Sequence, residues 1–190
     1  MSKKAIKVFT IVGILSVLFR LGGVLLADYF TMYRIASFID ITGQILFLIL
    51  FFFIAKDLKE NYDKPVRIIY LFIFSSLTMT LINVTNILSG SLLLFVRFMF
   101  LTIITLFGLY LFKTVYRLFA IIFLISILVT YLSYLAINEF LGDKSYNYWI
   151  FLSAIPALYP LVLIYIVRTR NNFLSEDEIN SIGRDIGDEY

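Results

Sequence analysis

The sequence predicts an all-α integral membrane protein: a bundle of about six transmembrane helices, both termini cytoplasmic, with short loops and a short C-terminal cytoplasmic helix. Three observations predict it. Of 190 residues, 61% are hydrophobic and only 15% charged, against about 45–50% and about 25% in soluble domains. Apolar runs long enough to cross a bilayer recur along the chain, separated by short polar links. Lysine and arginine crowd into alternate links, which is the asymmetry that orients membrane chains.

The first span covers residues 8–27, after Ser2, Lys3, Lys4 and Lys7. A secretory leader has a similar opening, but this run is long enough to span, Arg20 interrupts it, and no small-x-small cleavage pattern stands near Ala27. A retained span is expected. Residues 28–34 form a linker to the second span, 35–55, which contains Asp40, Thr42 and Gln44. The charged loop from Lys56 to Arg67 follows. Asp63, Lys64 and Pro65 start the third span, since proline is tolerated in a first turn. The fourth span runs over 92–112 with Arg97 inside, the fifth over 118–137 and the sixth over 148–167. Pro156 and Pro160, one turn apart, should bend the sixth.

The lysine and arginine residues cluster at the N-terminus, in the 56–67 loop, in the 113–117 turn and at Arg168 and Arg170. The opposite links hold Arg34 and Lys144. Both termini are therefore expected inside, and Tyr29, Tyr33, Tyr146, Tyr148 and Trp149 form the outer aromatic belt. Isoleucine-, phenylalanine- and lysine-rich usage hints at an AT-rich bacterial genome, so the bacterial cytoplasmic membrane is the expected location. Two regions are expected: a bundle over 1–170 and an acidic cytoplasmic tail over 171–190. In the tail, Ser175 and Glu178 match a capping box, and a short helix with Ile179 and Ile182 on one face is a candidate docking element for a partner.

The stretch SSLTMTLINVTNILS, residues 75–89, carries the strongest polar signal inside a span. On a helix at about 100° per residue, Phe74, Leu77, Leu81, Val84 and Leu88 form one apolar stripe. Hydrocarbon offers a polar face no partner. The stripe should face lipid, and the hydroxyls and amides should face the bundle.

Arg20, Asp40 and Arg97 are expected at a similar depth in the outer half of the bilayer, with Gln44, Asn83 and Asn86 near them. An isolated charge at mid-bilayer costs roughly 2.5–3.5 kcal/mol, so such groups pair or line a cavity. Three readings stand: an ion-paired brace, arginines snorkelling outward, or a polar pocket with surplus positive charge suited to a lipid phosphate or a carboxylate. Gly22 and Gly23 permit a close helix approach without a GxxxG frame. Phe51, Phe52 and Phe53 are read as lipid contacts, and Tyr131 and Tyr134 as packing residues.

The chain has no cysteine and no histidine. Disulfides, thiolate chemistry and Ser–His or Cys–His catalysis are excluded. Phosphate loops, metal-ligand spacings and dinucleotide fingerprints are absent from the sequence. No cofactor and no catalytic residue is expected. The expected partners are membrane lipids and other membrane subunits, not nucleic acid. The leading functional reading is a non-catalytic subunit or accessory protein of a larger membrane complex. The alternative is a small transporter or lipid- or anion-binding protein using Arg20, Asp40 and Arg97. A membrane enzyme ranks last.

Overall fold

The computed structural model describes residues 1–30, 33–140 and 154–170. Among these there is no strand. Helix α1 covers Lys3–Phe30, α2 Tyr33–Leu58, α3 Asp63–Thr85, α4 Gly90–Phe112 and α5 Arg117–Phe140. A 3-10 turn, Ile155–Leu158, leads into α6, residues 159–170. Four helices, α1 to α4, are long and apolar enough to cross a membrane; the apolar stretch found in α5, Arg117–Thr130, is shorter. At 26 residues, α2 is about 39 Å long, against a hydrocarbon core of about 30 Å.

Helix ends follow local chemistry. Helix α3 opens at Asp63 with Pro65 in its first turn, where a missing N–H costs nothing. It closes at Asn86, whose φ of 49° is left-handed, and the Asn86 N–H donates to the Ile82 carbonyl. Gly90, with φ 61°, then starts α4. The expected 28–34 linker is largely helical instead: α1 continues to Phe30 and α2 begins at Tyr33. Nothing in Asp28, Tyr29 or Phe30 breaks a helix, so backbone hydrogen bonding continues beyond the apolar run.

Helices α1 and α2 form the most extensive pair and run antiparallel. Small residues bring their backbones together. A Cβ on Gly43 would lie 2.9 Å from the Arg20 backbone nitrogen and 3.1 Å from Phe19 Cβ. One on Gly23 would lie 3.1 Å from the Ala36 carbonyl oxygen. Ser16 Oγ donates to the Gly43 carbonyl at 2.8 Å. Gly23 therefore makes the close approach, whereas a Cβ on Gly22 would meet nothing nearer than 3.9 Å. Ser16 and Gly23 on α1, and Ala36 and Gly43 on α2, each sit two turns apart on the facing sides.

The core is a run of aromatic rings across α2 to α6. Phe51 meets Phe47, Phe72 and Phe107 at 5.0, 5.4 and 5.1 Å, and Phe107 stacks on Phe72 at 4.2 Å. Phe123 continues the run to Tyr159 at 5.4 Å. Each such pair adds about 0.5–1.5 kcal/mol beyond burial. Phe51 is fully buried, so the expectation that residues 51–53 all contact lipid is corrected. Successive helical residues point about 100° apart, and only Phe52 of the three is exposed.

Four of the five stripe residues expected on α3, Phe74, Leu77, Leu81 and Val84, are exposed on it; Leu88 lies beyond the helix end at Thr85 and is half-buried. The polar residues of α3 do not all face the bundle. Ser76 is buried, but Thr78 and Thr85 are exposed and donate to the carbonyls of Phe74 and Leu81, four residues back, at 2.9 and 2.7 Å. A threonine satisfied by its own helix needs no partner elsewhere. The candidate tail helix, including Ser175, Glu178, Ile179 and Ile182, and the aromatics Tyr146, Tyr148 and Trp149 lie outside the described residues.

Candidate functional site

Gly43 makes the site possible. Its missing side chain leaves room for the stem of Arg20, whose Cγ would lie 2.5 Å from a Cβ there. The guanidinium then extends between α2 and the break before α6. Arg20 Nη1 donates to the Pro156 carbonyl at 3.0 Å. In an unbroken helix that carbonyl would accept from residue 160, which is proline and has no N–H. The 3-10 turn supplies one substitute donor, the Tyr159 N–H, and Arg20 supplies a second. The broken backbone and the half-buried cation thus satisfy each other. The same cation lies 5.9 Å from the centroid of the Phe47 ring.

Asp40 is the second charge. Arg20 Nε stands 3.6 Å from Asp40 Oδ1, close enough for an ion pair and too long for a hydrogen bond. Arg20 Nε is buried and has no hydrogen-bond partner. The Asp40 side chain is 45% exposed, that of Arg20 only 17%. No hydrogen bond to Asp40 is made among the described residues. The buried Nε thus has a charge partner in Asp40 but no hydrogen-bond acceptor among the described residues.

Two cavities meet beside this pair. The first, of about 490 Å³, lies among α2 to α6 and has Phe47, Phe72 and Phe123 in its wall, with Arg20, Gln44, Ser76, Thr130 and Tyr159 among its polar groups. The second, of about 710 Å³, lies between α2 and α3 and is lined by Arg34, Ser37, Asp40, Thr80 and Asn83. Gln44 and Phe100 line both, so the two are neighbours. A smaller cavity of about 430 Å³ touches the pair from the α1 side, at Gly23 and Ala27. Tyr159 and Ser126 are hydrogen-bonded to each other, and Ser126 Oγ donates to the Phe123 carbonyl at 2.8 Å.

Of the six residues expected to form one layer, Arg20, Asp40, Gln44 and Asn83 line these cavities. The other two stand apart from them. Asn86 is the exposed left-handed cap of α3, and its role is to stop that helix. Arg97 is exposed on α4, lines none of these cavities and makes no ion pair among the described residues. Its rotation about α4, which residue spacing does not fix, points it away from Arg20 and Asp40.

A second polar cluster has no counterpart in the sequence reading. At the far end of α2, Asp57 is 8% exposed. The Arg170 Nη1 donates to Asp57 Oδ2 at 2.7 Å, and Tyr116 OH donates to the same oxygen at 3.0 Å. The Met1 nitrogen donates to Oδ1 at 3.2 Å. Burial first, and then the Asp57 carboxylate, hold the Tyr116 phenol well above its ordinary pKa, so it remains a donor. The start of α1, the end of α2, the α4–α5 turn and the end of α6 are thereby tied together at one end of the bundle. Asp57 stands among seven charged residues between 56 and 67, and nothing in that run marks it as the buried one. Among the described residues no cluster of acidic side chains is arranged to hold a metal.

No protein family, no curated protein and no solved structure matches the chain.

Proposed function

We propose that the chain is a non-catalytic, multi-pass protein of the bacterial cytoplasmic membrane that holds an amphiphilic ligand beside Arg20. The observation that carries this reading is the aromatic cavity with Arg20 in its lining, ion-paired with Asp40 of the neighbouring cavity. Ligand pockets are typically about 300–1,000 Å³, apolar, with a few fixed polar groups. The cavity of about 490 Å³ fits that description. Its apolar wall suits an alkyl or acyl chain; Arg20, Gln44 and Asp40 suit a polar head. An earlier expectation of two arginines and surplus positive charge is replaced by one arginine already paired with one carboxylate.

Six crossings with both termini cytoplasmic are part of the proposal. The basic residues at positions 3, 4, 7, 56, 59, 64, 67, 113, 117, 168 and 170 support that orientation. The meeting of Met1, Tyr116 and Arg170 at one carboxylate supports an even number of crossings, which returns the chain to its starting side whichever side that is.

A specific observation favours association with other membrane subunits as well. Helix α4 is the most exposed of the four long helices, and Arg97 lies on its exposed surface. A guanidinium facing hydrocarbon is costly, and a carboxylate on a partner helix would relieve it.

Purification in mild detergent followed by native mass spectrometry tests both readings. The wild-type chain is expected to retain one amphiphile through purification. Ser76→Phe places a ring in the cavity and is expected to abolish that retention while leaving the fold intact. Equal retention in the two proteins would end the ligand reading. A stoichiometric second polypeptide, lost in Arg97→Gln, would support the subunit reading; a chain free of partners would remove it.

A further inference from the structure

We infer that the occupant is an aminophospholipid, a lipid whose head carries a phosphate next to the tail and a primary ammonium beyond it. The inference rests on the ligand reading above and deepens it. Its basis is the order of chemistry along α2. Phe47, deepest in that order, lies in the wall of the aromatic cavity. Arg20 comes next: its guanidinium lies over the Phe47 ring, and its buried Nε lacks an acceptor. Asp40 follows one turn beyond Gln44, half exposed to the neighbouring polar cavity and without a donor among the described residues. Reading outward, the sequence of chemistry is apolar wall, cation, carboxylate.

A phosphoethanolamine-type head presents the complementary order: apolar tail, phosphate, ammonium. The phosphate would take the free donors of Arg20 and the Gln44 amide, as a guanidinium favours. The ammonium would donate N–H bonds to the half-exposed Asp40 carboxylate, which receives none among the described residues. An acidic lipid without an amine satisfies Arg20 but sets a hydroxyl, at best, against the carboxylate. A trimethylammonium head carries charge but no N–H donor, so it leaves Asp40 without a hydrogen bond. The choice among heads therefore follows from Asp40.

The full-length chain is reconstituted in nanodiscs with equal parts of phosphatidylethanolamine, phosphatidylglycerol and phosphatidylcholine, then released for native mass spectrometry. Retained phosphatidylethanolamine is expected to exceed each of the others at least tenfold. In Asp40→Asn that preference is expected to fall to about twofold or less. Free phosphoethanolamine, offered without a tail, is expected not to compete. Should Asp40→Asn fail to fold, the preference of the wild-type protein for the primary amine over the trimethylated one decides alone. Phosphatidylglycerol or phosphatidylcholine retained equally or better would overturn the head-group assignment and leave the ligand reading standing. Competition by free phosphoethanolamine would replace the lipid with a soluble compound. Retention of no lipid at all would remove both proposals.

Discussion

Gly43→Val is expected to cost about 3 kcal/mol of stability and to part α1 from α2 at the level of Arg20. A Cβ at position 43 already meets the Arg20 backbone nitrogen at 2.9 Å and Phe19 Cβ at 3.1 Å. Neither neighbour is the free end of a flexible side chain, so the helices themselves must move. Branching at Cβ adds two methyl groups to the same space. The loss has a functional consequence as well as a structural one. The Arg20 stem passes over Gly43 on its way to Pro156, so displacing it breaks the hydrogen bond at 3.0 Å and leaves the carbonyl with one donor. Unfolding in detergent, followed by far-UV circular dichroism, should give the stability loss. Gly22→Val serves as the comparison, because a Cβ on Gly22 meets nothing closer than 3.9 Å. A similar cost at both positions would mean that the close approach of α1 and α2 is not where the stability lies.

Asp57→Ala is the second large effect, about 2–3 kcal/mol. Tyr116 is 1% exposed, and its hydroxyl would be left buried without an acceptor. Arg170 contributes less, because its side chain is 39% exposed and water replaces much of what the carboxylate provides. Asp57→Asn separates hydrogen bond from charge: the amide oxygen still accepts from Tyr116, while the charge facing Arg170 and the Met1 ammonium is gone. It is expected to cost less than half as much as Asp57→Ala. Tyr116→Phe in the Asp57→Ala background should then be close to neutral, since both halves of the hydrogen bond are absent. Equilibrium unfolding of the wild type, Asp57→Ala, Tyr116→Phe and the double variant closes this cycle. Additive losses would show that Tyr116 and Asp57 are not coupled.

The helices were legible because a membrane chain declares them in composition. Runs of apolar residues end at recognisable chemistry, Asp63 and Pro65 before α3 and Asn86 after it. An irregularity near Pro156, present as the 3-10 turn, was legible for the same reason: proline removes a donor wherever it stands. What takes the orphaned carbonyl was not legible, because Arg20 and Pro156 are 136 residues apart. The rotation of a helix about its axis was equally hidden. Spacing led to the expectation of one layer for Arg20, Asp40 and Arg97, but packing alone decides that the first two face each other while Arg97 is exposed. Phe51 shows the same gap from the other side. In a uniformly apolar helix the pattern does not separate core from lipid, and the buried ring differs from its exposed neighbour Phe52 only by what it meets. Asp57 was hidden among charged neighbours, since burial at a helix end depends on which other helices finish there.

Where an amphiphile's tail sits is the most direct measure of the ligand reading. A phospholipid bearing a photoactivatable group midway along its acyl chain, reconstituted with the full chain and irradiated, leaves its mark on the residues it touches. Labelling is predicted on the inner face of α3, at Phe72 and Ser76, and on Phe123, and it should disappear in Ser76→Phe. Marks confined to the outer stripe at Phe74, Leu81 and Val84, unchanged by that substitution, would contradict it.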